Sequence, residues 1–342
     1  MEEMYRWHRR HYPAMEPQDV VKLYFQAMLG CGHLLGDEDA VAQRIAVEQA
    51  TLTPSPAESL TEPLGPDYVR LNLRRAKADG LEPLWIARLM KLSAETQQPA
   101  RADVMKALSS LGDASIDQAA QRLMDDPAWL PSHTQTYHAA YAPAYRVISR
   151  KFDYLLPALQ RIVRLRHQDR VLICIDGPCG SGKTTLAGLL KRILAGAVVS
   201  MDDFFLPHPQ KTPERLAQPG GNADWERLVG EFLTPWLQQG SASYRPYDCH
   251  ANDFGDEIRI PACQYTIIEG SYSLMPAIAG HADLKLFLRI DPEEQKQRIL
   301  QRNGEKLLQM FVSRWIPLEQ AYFSAFSLPD DGCVVLAAQS QR

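Results

Sequence analysis

Residues 177–184 read Gly-Pro-Cys-Gly-Ser-Gly-Lys-Thr, a complete G-x-x-x-x-G-K-[ST] pattern. Such spacing folds backbone N–H groups around phosphate oxygens, and the helix that follows adds partial positive charge. Gly177, Gly180, Ser181, Gly182, Lys183, Thr184 and Thr185 are therefore the expected nucleotide-binding residues. The Lys183 ammonium would reach the β- and γ-phosphates of ATP, and the Thr184 hydroxyl would sit on Mg²⁺. Three acidic positions recur further along: Asp202 and Asp203 after Ala197-Val198-Val199-Ser200-Met201, and Glu269 after Gln264-Tyr265-Thr266-Ile267-Ile268. One such carboxylate can accept the proton of an attacking hydroxyl, and another can hold Mg²⁺ directly or through water. Residue types alone leave open whether Asp202 or Asp203 is the base.

These groups need a scaffold. Val171-Leu172-Ile173-Cys174-Ile175 before the glycine loop is the continuous apolar run of a strand buried on both faces. Residues 185–194 after the loop are apolar at helical spacing. Strand, loop and helix together are the context the motif requires. Further strands are predicted at 197–201, 264–268, 284–290 and 333–336, alternating with helices at 225–238, 292–302 and 307–326. Alternation of this kind implies right-handed crossovers and a doubly wound parallel sheet of the α/β class. Ligands bind such sheets outside the carboxyl ends of the strands, where all three acidic positions fall.

Composition narrows the class. The 342 residues carry a net charge of −4, with 45% hydrophobic and 23% charged residues. This is an ordinary globular balance with no excess of positive charge for nucleic acid or a membrane surface. No apolar run is long enough for a membrane span, and the N-terminus lacks a signal-peptide core. The six cysteines, at 31, 174, 179, 249, 263 and 333, form no C-x-x-C pair. That pattern suits reduced thiols in a cytoplasmic protein. Cys179 is read as a small residue that fits the loop. Assembly as a homo-oligomer is left open.

The ordered segments GPCGSGKTT, SMDDFF, GGNADWERL, YRPYDC, TIIEGSY, LKLFLRID and RILQRN resemble the uridine kinase, phosphoribulokinase and bacterial pantothenate kinase family of P-loop kinases, over roughly residues 168–325. The resemblance implies that Asp202 activates the substrate hydroxyl, with Phe204 and Phe205 nearby, and that Glu269, before Gly270, serves the metal site. It further implies that Tyr247 and Asp248, after Pro246, line the acceptor pocket, that Asp224 contacts the acceptor, and that Arg298 and Arg302 lie on a lid helix over the phosphates. The small-molecule acceptor most consistent with this pattern is a nucleoside; pantothenate and sugar phosphates are the alternatives. Two departures bear on that choice. Asn252 stands where uridine kinases carry a histidine, with His250 closer to the Tyr-Asp pair, and the segment 302–306 lacks a second arginine cluster. An ATP-gated regulator, with a partner on the first domain, is the alternative from another class.

Residues 1–145 read as a helical domain of unknown function, and 146–342 as the P-loop domain. Helices are expected at 18–29, 37–50, 83–96 and 115–124, and a linking helix at 144–167. His33, Arg70 and His133 are candidates for a second site, against the plainer reading of a packed helical domain with satisfied histidines. His8 and His11 are spaced for a metal on one helix, without a third ligand.

Overall fold

The computed structural model describes residues 1–32, 36–95, 100–249 and 251–337. The chain forms two compact units, Met1–Asp153 and Tyr154–Arg342. His33 and His250 lie outside the described residues.

The first unit is mainly helical. Pro17–Leu29 buries Val20, Val21, Leu23, Tyr24, Phe25 and Ala27, and begins with a capping box in which Glu16 and Asp19 satisfy each other's backbone N–H groups. Glu38–Thr51, Pro83–Ala94, Arg101–Ser109 and Ala114–Asp125 follow. Asp37 and Asp113 cap two of them through side-chain oxygens.

The structure corrects the sequence reading in one respect. The unit also holds a three-stranded antiparallel sheet, in the order β1 (Thr61–Leu64), β2 (Tyr68–Asn72), β3 (Tyr145–Ser149). The linking helix expected over 144–167 is thus β3, a 3₁₀ stretch Arg150–Leu155, the helix Leu156–Ile162 and a further 3₁₀ turn. The boundary expected at 145/146 falls inside β3, and the units divide at 153/154.

In the second unit, β4 (Val171–Asp176), β5 (Ala197–Ser200), β10 (Tyr265–Glu269), β11 (Leu284–Arg289) and β12 (Cys333–Ala337) form one parallel sheet in the order β12-β11-β4-β10-β5. The intervening strands are short: β6 (Ala242–Tyr244) pairs with β9 (Ile258–Ile260), and β7 (Tyr247–Asp248) with β8 (Asp253–Phe254). Val171 to Ile175 have no exposed surface. Burying each large aliphatic side chain of that run stabilises the sheet by about 1.5–3 kcal/mol. The helix Lys183–Leu194 covers the sheet through Leu186, Ala187, Leu190 and Ile193. On the register, Glu269 of β10 stands opposite Ser200 of β5 and Ile175 of β4. The carboxyl ends of the three strands therefore share one level. No helix among the described residues is long and apolar enough to cross a membrane.

The helix predicted at 225–238 runs as Trp225–Arg227, a wide π-type turn Leu228–Leu233, and Thr234–Gln239. The C-terminal helices form a longer run, Pro292–Met310, interrupted by the non-helical backbone of Gly304, then a π-type turn and Ile316–Ala325.

Candidate active site

The loop 177–182 leaves β4 and enters the helix at Lys183. At Gly177, φ is 141° and a Cβ would lie 2.3 Å from the carbonyl oxygen of Leu288, so only glycine fits the turn. Gly182 precedes the helix at φ 97°, outside the range of ordinary side chains. The Lys183 Nζ donates to the carbonyls of Gly177 (2.7 Å) and Pro178 (3.0 Å), which holds the ammonium over the loop. The Ser181 hydroxyl, 1% exposed, has no hydrogen-bond partner among the described residues.

At the head of the loop, the Thr184 hydroxyl lies 3.2 Å from both carboxylate oxygens of Glu269. The Ser200 hydroxyl donates to one of those oxygens, also at 3.2 Å. Burial raises the Glu269 carboxyl above its usual range; the charge of Asp202 adds to the shift, and Lys183 opposes it. That coupling brings Asp202 and Glu269 into one electrostatic site. The two acids after β5 differ. Asp202 is exposed. Asp203 is half-buried and accepts the Tyr244 hydroxyl at 2.8 Å. Burial lifts the Asp203 carboxyl, and Tyr244 partly offsets the lift.

The other expected site residues are distributed unevenly. Arg298 reaches the loop: Nη1 donates to the Gly180 carbonyl (3.2 Å) and Nη2 to Glu294 (2.7 Å). Arg302 is exposed, and its Nε donates to neighbouring Asn303 at 2.8 Å. Thr185 is exposed on the first turn. Phe205 bridges to Ala223. Asp224 caps the following helix through the Arg227 N–H (3.1 Å) and lies 3.6 Å from the Arg227 guanidinium. It also lines a cavity of about 380 Å³ with Leu206, Gln210, Arg215 and Glu226. Tyr247 is buried, and its hydroxyl donates to Asn252 at 2.5 Å. Exposed Asp248 accepts the Ala251 N–H.

Sequence reasoning missed the groups that brace the loop. Asp176, fully buried at the end of β4, accepts the N–H groups of Gly177 (2.7 Å) and Leu274 (3.0 Å) and the Tyr322 hydroxyl (2.8 Å). Burial pushes its carboxyl up to about 6, against the pull of Lys183. Its position one residue before the motif was the available signal. Glu319, 5% exposed, accepts the Cys179 N–H at 3.0 Å and the Ser271 hydroxyl at 2.6 Å. Gln295 donates to the Cys179 carbonyl at 2.9 Å. Burial, with Glu319 adding, raises the Cys179 thiol to about 12. Glu319 and Cys179 are 140 positions apart, so no local pattern announces the contact.

The donor set suits the ligands that the motif implies. The hydroxyls of Thr184 and Ser200 and the Glu269 carboxylate are hard oxygen donors of the kind Mg²⁺ takes alongside water and phosphate. Lys183 and the unpartnered Ser181 hydroxyl provide donors for phosphate oxygens.

No family model and no curated protein matches the chain. Among solved structures, a possible uridine kinase from Bacillus stearothermophilus is similar at 18% identity, over 54% of this chain and 96% of that one, with a TM-score of 0.41. A candidate fructose transport system kinase from Silicibacter sp. TM1040 is 24% identical over 50% of this chain and 94% of its own, TM-score 0.41. Phosphoribulokinase from Rhodobacter spheroides is 16% identical over 45% and 68%, TM-score 0.31.

Proposed function

We propose that the second unit is a Mg·ATP-dependent kinase that phosphorylates a hydroxyl of a small metabolite, a nucleoside first among the candidates. The observation that carries this reading is the Thr184 hydroxyl set 3.2 Å from both oxygens of Glu269, beside Lys183 and within electrostatic reach of Asp202. The acceptor oxygen forms a bond to the γ-phosphorus, the bond from that phosphorus to the β–γ bridging oxygen breaks, and ADP leaves. Asp202 takes the hydroxyl proton: it is exposed, whereas Asp203 is engaged by Tyr244. Lys183 and the loop N–H groups stabilise the phosphate charge. Thr184 and Glu269 would hold Mg²⁺, which would neutralise charge on the phosphates. Arg298, on the helix beside Gly180, adds charge at the loop.

For the acceptor, Asp224 supplies a carboxylate on the wall of the 380 Å³ cavity. The test is acceptor-dependent ADP release at saturating Mg·ATP, with uridine, 2′-deoxyuridine, pantothenate and a sugar phosphate. Uridine should be phosphorylated, and 2′-deoxyuridine should be strongly disfavoured, by up to about 10⁴-fold. Phosphorylation of pantothenate or the sugar phosphate alone would overturn the nucleoside assignment. ATP turnover that answers only to a macromolecule would overturn the kinase.

A further inference from the structure

The first unit contains a cavity of about 320 Å³, within the size range of small-molecule sites. Its walls come from the helices Pro17–Leu29, Glu38–Thr51 and Pro83–Ala94, the helix Gln135–Tyr141 and the start of β3.

One wall is a hydrogen-bonded relay. Asp19, fully buried, accepts from His133 Nδ1 (2.8 Å), the Thr134 N–H (3.0 Å), the Thr134 hydroxyl (2.7 Å) and the Glu16 N–H (3.0 Å). Burial opposes ionisation of Asp19, but the bonds from His133 and Thr134 outweigh it and hold the carboxyl below its usual range. Burial lowers His133 to about 4 despite Asp19, with Lys22 and Arg70 contributing. The imidazole is therefore neutral at pH 7. Its Nδ1 proton faces Asp19, which leaves Nε2 to meet the Tyr145 hydroxyl at 2.7 Å. That hydroxyl is also 2.9 Å from Gln26 Oε1.

The rest of the lining is charged, with three cations, Lys22, Arg44 and Arg146, and one carboxylate, Glu48. Glu48 is paired with Arg146 at 2.5 Å. Lys22 has no ion-pair partner among the described residues, and its ammonium stands 6.0 Å from the Tyr145 ring centroid. Behind that ring, 4.3 Å from its centroid, lies the buried guanidinium of Arg70. Burial, and then the charge of Arg70, lower Lys22 to about 8 against the pull of the Asp19 carboxylate. Cations outnumber carboxylates on the cavity lining, and a half-buried excess of positive charge is costly unless an anion joins it. A packed core has no need of such a cavity. A small anion of matching size gives both the space and the charge a use.

We propose that the first unit holds a second ligand site, in which Lys22, Arg44 and Arg146 bind the oxyanion of a small polar metabolite, a phosphate monoester or a carboxylate, beside the Tyr145 hydroxyl oriented by His133 and Asp19. The site is independent of the kinase reading.

The experiment uses the full chain carrying Lys183→Ala, so that the glycine loop does not compete for the probe. Inorganic phosphate, ribose 5-phosphate and gluconate are titrated calorimetrically at constant ionic strength. One of them should bind saturably at a single site. Lys22→Met and Arg44→Gln, each checked for an unchanged circular dichroism spectrum and melting temperature, should each weaken that binding about tenfold or more. Tyr145→Phe should weaken ribose 5-phosphate or gluconate and spare inorganic phosphate. Preference for ribose 5-phosphate over gluconate assigns a phosphate ligand, and the reverse a carboxylate. Absence of saturable binding by all three probes, or binding indifferent to both cation substitutions in folded protein, overturns the proposal.

Discussion

The two units handle ionisable groups in different ways. In the second, the proposed site at the ends of parallel strands mixes exposed groups, Thr184 and Asp202, with buried ones, Lys183 and Glu269, and the loop glycines leave backbone N–H groups available to a polyanion. In the first, Asp19, His8, His133 and Arg70 are all buried and tied into bonds spanning most of the unit. A site made from strand ends gets part of its charge from the backbone, and folding desolvates only some of its side chains, Lys183 and Glu269 among them. A buried network must satisfy nearly every member internally, because each orphaned group costs about 1–3 kcal/mol. Burial of a cation and a titratable relay beside a cavity is therefore informative in the first unit. In the second it is the exposed acid that carries meaning.

The comparison breaks first at Asp202. Asp202→Asn should leave ATP binding nearly intact and lower kcat by about 10²–10⁴-fold, as loss of a general base does. Asp203→Asn should cost far less turnover, since Tyr244 already holds that carboxylate. The reverse ranking in steady-state kinetics would exchange the two roles. Next in size, Lys183→Ala should lower phosphoryl transfer by about 10²-fold or more, through loss of a charge contact in the loop. Near-normal turnover in that variant would remove the site from the loop altogether.

How the two sites read from sequence follows the same division. The glycine loop, β4 and the acids at the ends of β5 and β10 each lie in short contiguous runs that read locally, and the parallel-sheet rule brings those runs together. The first unit's sheet escaped because β2 is buried on both sides, so Tyr68 to Leu71 show no alternation, and because β1 carries Pro63. Of its relay, His133 is a second-site candidate from sequence, with Arg70, but Asp19 is not: it lies 114 positions from His133, and only tertiary packing makes them neighbours. His8 and His11, read as a candidate metal pair, each bond to a backbone carbonyl. His8 Nε2 meets the Pro63 carbonyl at 2.8 Å, and His11 Nδ1 meets the Trp7 carbonyl at 2.8 Å. Arg302 shares the helical spacing of Arg298, but only Arg298 meets the loop.

Acid separates the units by sign. Asp176, raised from 3.8 to about 6, binds its proton more tightly in the fold than in the unfolded chain. The second unit should therefore lose stability as pH rises from about 4 to 6. His133, lowered from 6.5 to about 4, and His8, lowered to about 3 mainly by burial, bind protons more weakly in the fold. The first unit should therefore gain stability as pH rises through the interval from about 4 to 6.5. Each effect is on the order of 1–3 kcal/mol. Hydrogen exchange resolved by peptide at pH 7 and pH 5, corrected for intrinsic rates, should show Met1–Asp153 loosening and Tyr154–Arg342 tightening on acidification. Parallel changes in both units would contradict these assignments. The smallest contrast lies on one helix: Arg298→Ala should cost about tenfold in kcat/KM and Arg302→Ala less than about twofold. Equal losses would mean that Arg302 moves to the phosphates during turnover.

The tie between Glu319 and the Cys179 N–H has a practical side. A thiol held near 12 carries a thiolate fraction on the order of 10⁻⁵ at neutral pH. Iodoacetamide, acrylamide warheads and peroxide all react through that thiolate, so they should react slowly with the cysteine in the glycine loop. Burial, with the Glu319 brace adding, is what holds that sulfur back, so a covalent probe of the loop is expected to act on it slowly.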